Sequence, residues 1–131
     1  MDGLSIMDTE REIFINHTHE IGRDYTISSN VIRDIYGDSS GRIWVGTDHG
    51  LNRYERDTRT FKTISPVADE SKAINDIYED QSRNLWISTD EGIYLYDAST
   101  DAYGRDERLN FLDGSSITDM QQLADGEYWV G

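Results

Sequence analysis

The feature that most constrains this chain is a recurrence. Asp34, Ile35, Tyr36, Asp38, Trp44, Thr47, Asp48 and Gly50 return 42 positions later as Asp76, Ile77, Tyr78, Asp80, Trp86, Thr89, Asp90 and Gly92. A shorter third copy follows at a spacing of 43, with Ile117, Asp119, Met120, Trp129 and Val130. The pairs Gly3-Leu4, Gly50-Leu51 and Gly92-Ile93 are each followed by an aromatic eleven positions after the glycine: Phe14, Phe61 and Tyr103. A unit this short cannot bury its own apolar faces, so copies must stack on one another.

A period near 42 fits a helical solenoid repeat or a four-stranded propeller blade. A helix needs apolar residues at 3.6-residue spacing, and these segments lack it. They carry short runs such as Arg42-Ile43-Trp44-Val45-Gly46, bounded by turn residues. Strand A is therefore predicted at about 31–37, B at 42–47, C at 50–55 and D at 60–64. The next unit has A at 73–79, B at 84–89, C at 92–97 and D near 102–105. Asp38-Ser39-Ser40-Gly41, Asp80-Gln81-Ser82-Arg83-Asn84 and Asp125-Gly126 read as A–B turns, where Asx bonding and glycine permit a tight reversal. The fold class is all-β: a partial β-propeller of about three four-stranded antiparallel blades in the order C–D, A–B–C–D, A–B–C–D, A–B. The expected division is a half-blade at 1–20, a blade at 31–64, a blade at 73–105 and a half-blade at 116–131, forming one fragment over 1–131.

Repeated residues should serve the blade. Trp44, Trp86 and Trp129 are expected to fill the space between neighbouring sheets. Gly50 and Gly92 are expected to turn B into C at positive φ, and Asp48 and Asp90 to bond the backbone of that turn.

Twelve basic and twenty-six acidic residues give a net charge of −14. That balance argues against phosphate-rich nucleic acid and against an anionic membrane surface. The absence of cysteine excludes disulfide and thiolate chemistry. No apolar run is long enough to cross a bilayer, and Met1-Asp2-Gly3 does not open a signal peptide.

The motif resembles the two-component regulator propeller repeat. That pattern runs roughly Ile-x-x-Ile-x-x-Asp, Gly-x-(Ile/Leu)-Trp-(Val/Ile)-Gly-Thr, Gly-Leu-x-x-Tyr. Here it reads Ile32 to Asp38, Gly41-Arg42-Ile43-Trp44-Val45-Gly46-Thr47, and Gly50-Leu51-Asn52-Arg53-Tyr54. The second copy departs from it at Ser88 and at Arg83-Asn84, and the third has Gln121-Gln122-Leu123 where strand A should end acidic. The resemblance implies a periplasmic or extracytoplasmic sensor region of a membrane-anchored hybrid two-component histidine kinase. Such receptors often sense oligosaccharides, and the kinase itself would lie outside this segment.

Recognition on a propeller belongs to loops held by the rigid blades. The D–A connections, about 15–30, 65–73 and 106–116, carry His17, His19, Arg23, Tyr25, Asp69, Glu70, Lys72, Asp106, Glu107 and Arg108. The candidate ligand-binding residues are Arg23, Tyr25, Asn30, Arg33, Lys72 and Asn75, with an oligosaccharide as the candidate ligand. Asn30, Arg33, Lys72 and Asn75 enter strand A, near the channel mouth. His17-Thr18-His19 places two imidazoles on one strand face without a third ligand, so no metal is expected. No cofactor and no catalytic residue are expected, because no unique carboxylate pair or nucleophile–base set stands apart from the repeats. The alternatives are a propeller glycosidase or lyase fragment, and an interaction scaffold without a small ligand. Partners are other blades of a longer propeller or a second copy of this chain, joined head to tail where the half-blades are in matching phase.

Overall fold

A computed structural model describes residues 3–9, 13–23, 25–66, 72–105 and 116–131. The described residues form strands and turns. β1 (Leu4–Asp8) and β2 (Ile13–His17) make an antiparallel pair. β3 (Ile32–Gly37), β4 (Ile43–Thr47), β5 (Gly50–Glu55) and β6 (Thr60–Pro66) make an antiparallel meander. β7 (Ile74–Glu79), β8 (Leu85–Thr89), β9 (Gly92–Asp97) and β10 (Ala102–Arg105) repeat it. β11 (Met120–Gln122) and β12 (Tyr128–Val130) form a last antiparallel pair.

The two meanders are not separate sheets, as the periodicity alone suggests. β6 runs two residues beyond the predicted end of strand D, and Ser65 and Pro66 pair in parallel with Ala102 and Tyr103 of β10. One mixed, curled sheet results, in the order β3-β4-β5-β6-β10-β9-β8-β7. This junction covers edges that would otherwise be open, and Pro66, with no N–H to donate, ends the strand.

Burial explains the strand sequences. Trp44, Val45, Gly46 and Thr47 of β4 are all buried, so the strand reads as a continuous run and not as an alternation. The first meander gives Trp44, Leu51 and Ile64 to a core completed by Ile74, Ile77, Leu85, Ile87, Tyr94 and Tyr103 of the second. Its other face is covered by Leu4 and Ile27, packed with Val45 and Phe61. On the far face of the second meander, Ile93 packs with Ile117 and Met120. Each fully buried Leu, Ile or Val contributes about 1.5–3 kcal/mol relative to exposure. That stabilisation arises only where one copy faces the next.

Candidate functional site

The strand A positions are set by a repeated irregularity. Between Ile32 and Asp34, and again between Ile74 and Asp76, the pairing with the next strand slips by one residue. Arg33 and Asn75 are the extra residues, and such a bulge re-aims its side chain. Arg33 Nη1 donates to Asn75 Oδ1 at 2.9 Å. Asn75 Nδ2 in turn donates to Asp90 Oδ1 at 2.8 Å and to the Ile117 carbonyl at 2.9 Å. Ser116 Oγ reaches the same Asp90 oxygen at 3.2 Å. Beside this chain of bonds Lys72 Nζ pairs with Glu91 Oε2 at 2.9 Å. The result is a polar rim running from unit to unit at the β8–β9 turn.

Two aspartates of the repeat, Asp90 and Asp48, are held charged. Bonds from Asn75 and then Ser116, with Arg33 nearby, keep the Asp90 carboxyl below its ordinary range against a small burial penalty. Ser29 and His49 do the same for Asp48.

The six predicted ligand residues do not form one patch. Arg33, Lys72 and Asn75 share the rim. Asn30 fastens the connection before β3: its Oδ1 accepts from the His19 amide at 2.6 Å and its carbonyl from the Gly3 amide at 2.9 Å. Arg23 Nη1 donates to the Tyr25 hydroxyl at 2.7 Å and its Nε pairs with Glu20 at 2.9 Å. The Tyr25 carbonyl accepts from the Phe61 amide, which places that pair at the start of β6, by the β5–β6 turn. From there Ile27 and Ser28 cross the face of the meander, where Ser28 meets buried Asn52 and Thr47. Asp69, Glu70, Asp106, Glu107 and Arg108 lie outside the described residues.

His17 packs against aromatic rings, and exposed His19 fastens the connection that follows β2. The His17 ring stands edge-on to Tyr54 at 5.7 Å and to Phe61 at 5.0 Å, and His19 Nδ1 meets the Ile27 carbonyl at 2.8 Å. Among the described residues no three metal-ligating side chains gather.

Beneath the rim the repeated residues do structural work. Trp44 is fully buried, and its Nε1 donates to Asp38 Oδ2 at 2.9 Å. Asp38 also accepts from the Ser40 and Arg42 amides and from Arg42 Nε. Asp80 takes Trp86 Nε1 at 2.8 Å, the Ser82 and Asn84 amides, Asn84 Nδ2 and the Tyr128 hydroxyl. Burial alone would raise both carboxyls; these donors outweigh it and hold them below the ordinary value. In the third copy Leu123 stands where the aspartate would be, and Trp129, two residues from the end of the sequence, is 63% exposed.

Gly50 and Gly92 have φ of 116° and 124°, a region that side chains rarely adopt. Asp48 and Asp90 do not hold the turn that follows β4 and β8; Thr47 and Thr89 do. Thr47 Oγ1 donates to the Gly50 carbonyl at 3.1 Å and accepts from the His49 amide at 3.0 Å. Thr89 repeats this with Gly92 and Glu91 at 2.9 and 3.1 Å. A hydroxyl both donates and accepts, whereas an ionised carboxylate only accepts.

Sequence reasoning noted Asp34, Asp76 and Asp119 without assigning them a task. Asp34 Oδ2 accepts from the Ile77 amide at 2.8 Å, and Asp76 Oδ2 from the Met120 amide at 2.9 Å. Each thus fastens its own strand to the equivalent strand of the next unit. Burial, with Asp34 and Asp119 close by, pushes the Asp76 carboxyl up to about 7 despite the Met120 bond. The signal for this role was their recurrence in phase on an inner strand.

The model of the two-component regulator propeller matches residues 26–49 and 70–91, which contain β3–β4 and β7–β8. One solved structure superimposes over 99% of this chain with a TM-score of 0.79 and 25% identity. It is an extracellular domain from B. thetaiotaomicron, BT4673, described as a one-component system. A second structure of that domain, described as a hybrid two-component system, gives 0.78 and 23% over 99% of the chain. The extracellular domain of the hybrid two-component system BT3049 gives 0.53 and 17% over 98% of the chain and 23% of its own. The chain spans only 17% of the length of the BT4673 structures. A search of curated proteins gave no match. Repeated strands, repeated turn chemistry and end-to-end superposition agree with this match: residues 26–49 and 70–91 are two-component regulator propeller repeats.

Proposed function

We propose that the chain is a segment of the extracytoplasmic sensory propeller of a two-component receptor, non-catalytic in itself, whose rim binds an oligosaccharide. The observation that carries this reading is the superposition of almost the whole chain on an extracellular domain of such a system. In this reading β3–β6 and β7–β10 are blades over 31–64 and 73–105, and β1–β2 and β11–β12 are the half-blades over 1–20 and 116–131. The rim supports a sugar-like ligand on chemical grounds. Arg33, Asn75, Ser116 and Asp90 alternate donors and acceptors, as neutral polyhydroxyl ligands require. Asp34 and Asp76, a close pair of carboxylates, are engaged with backbone amides of the adjacent strand, which favours a fastening role over a hydrolytic one.

A thermal-shift screen of the receptor's complete propeller against an oligosaccharide panel tests this. A ligand at about 100 times its Kd stabilises by about 2.7 kcal/mol, a shift of several degrees. Arg33→Ala and Asn75→Ala should each remove the shift. Release of new reducing ends would overturn the reading in favour of an enzyme, and no stabilisation by any glycan would overturn it in favour of a scaffold.

A further inference from the structure

The seam between the two meanders carries a cluster of charges that the repeat does not explain. Asp101 stands in the β9–β10 turn, one residue before β10, with φ of 50°. Its carboxylate accepts from Arg53 at 2.8 and 3.4 Å, from the Tyr96 hydroxyl at 2.6 Å and from Lys62 Nζ. Arg53 Nη1 also donates to the Tyr96 hydroxyl at 3.2 Å. Arg53 and Lys62 belong to β5 and β6 of the first meander, Tyr96 and Asp101 to the second. The parallel pairing of β6 with β10 begins at the very next residue, where Ala102 meets Ser65.

These residues are peculiar to this seam. One copy earlier the places of Arg53 and Lys62 are held by Ile6 and Ile15, and one copy later by Leu95 and Gly104. The place of Asp101 in the first meander is held by Arg59, which has nearly the same φ, 56°, and the opposite charge.

We propose that Asp101 is a clip locking the outer edge of β7–β10 to that of β3–β6, so that the two meanders, and the rim residues they carry at the opposite end, move as one body.

An exposed ion pair contributes little, because holding two long side chains costs entropy and water screens the charges. Here much of that cost is already met within the first meander. The Arg53 side chain is only 16% exposed, pairs with Glu55 Oε1 at 3.0 Å and lies over the Trp44 ring at 5.7 Å. It therefore waits in place for the carboxylate. Burial alone would raise the Asp101 carboxyl, but the bonds from Arg53, Lys62 and Tyr96 outweigh it and hold the group well below its ordinary range. The inference is independent of whether the rim binds a ligand.

The test is amide hydrogen exchange in the full-length protein, read over residues 60–66 and 101–105. Asp101→Asn keeps the shape of the side chain and removes its charge. Exchange at the β6–β10 junction should then quicken by about 10- to 100-fold, as the loss of charge-assisted hydrogen bonds implies. Exchange in β3–β4 and β7–β8 should not change. Asp101→Arg should open the junction further, since it brings a third cation to Arg53 and Lys62, and Arg59 shows that the turn accepts arginine at this φ. Lys62→Met, which keeps most of the stem and loses the charge, should give a smaller change in the same direction. Asp101→Gly separates charge from backbone, because glycine eases the positive φ; it should open the junction as Asn does. Unchanged exchange in Asp101→Asn, an equal rise over all strands, or full protection in Asp101→Gly would each overturn the proposal.

Discussion

Replacing Gly46 by alanine sets local preference against packing, and the two predict opposite signs. Gly46 lies in β4 and is absent from the positive-φ glycines, so alanine fits its backbone. On the chain alone Gly46→Ala should stabilise by about 0.4–1 kcal/mol, through loss of unfolded-state freedom. In the folded protein a Cβ at 46 would stand 2.6 Å from Ile74 Cγ2 and 2.9 Å from Ile74 Cβ. Ile74 is fully buried at the start of β7, and its Cβ is attached directly to the backbone. The clash is therefore relieved only by moving the next unit. Overpacking of this kind costs about 1–3 kcal/mol, so a net loss of about 1–2 kcal/mol remains. At an m-value of about 1.5 kcal/mol/M the urea midpoint should fall by roughly 1 M, with m unchanged. Ser88 supplies the internal contrast. It occupies the equivalent place in β8, fully buried, so Ser88→Ala should cost far less than Gly46→Ala. A Gly46→Ala midpoint equal to or above that of the parent would refute the claim that the sheets meet closely at this glycine.

Two further predictions come from single residues. Arg83 takes φ of 66° at the turn position where Gly41 has 81°, so Arg83→Gly should raise stability by about 0.5–1 kcal/mol in urea melts. Asp76 titrates near 3.8 in an unfolded chain and is pushed up to about 7 here by burial, with Asp34 and Asp119 adding to it. The folded state thus holds the proton more tightly. Its contribution is fully present below pH 3.8 and is lost as pH rises through about 7. After discounting for partial exposure this is about 1–2 kcal/mol. Asp76→Asn keeps the acceptor for the Met120 amide and removes the titration, so its stability should change less than the parent's between about pH 4 and pH 8. Parallel pH profiles for both would refute it.

Much of the candidate site was legible one unit at a time. Asp38-Ser39-Ser40-Gly41 announced its turn because an aspartate side chain bonds the amides two and four residues on. The position of Arg33 and Asn75 at the start of strand A was readable, but the bulge that aims them was not, since register is a property of two strands. Thr47 and Thr89 were seen to recur but were given no task beside the more conspicuous Asp48 and Asp90. The turn needs one group that gives and receives a proton bond, which composition does not reveal.

The recurrence by itself determined that the chain is all-β and built of repeated antiparallel meanders, but not that β6 and β10 join two of them into one mixed sheet. Short apolar runs between turn residues at a period of 42 specify small antiparallel sheets with two faces to bury. Tertiary structure decided what each repeated residue does, because identical residues meet different neighbours. Trp44 is fully buried against Tyr96 of the following unit, whereas Trp86, at the same place in the repeat, is half-buried against Tyr128. Asp34 and Asp76 became fasteners only when adjacent strands came within hydrogen-bond distance. Periodicity encodes local backbone and face, which depend on residues close in sequence. Burial, pairing and charge depend on what packs across the gap some forty residues away.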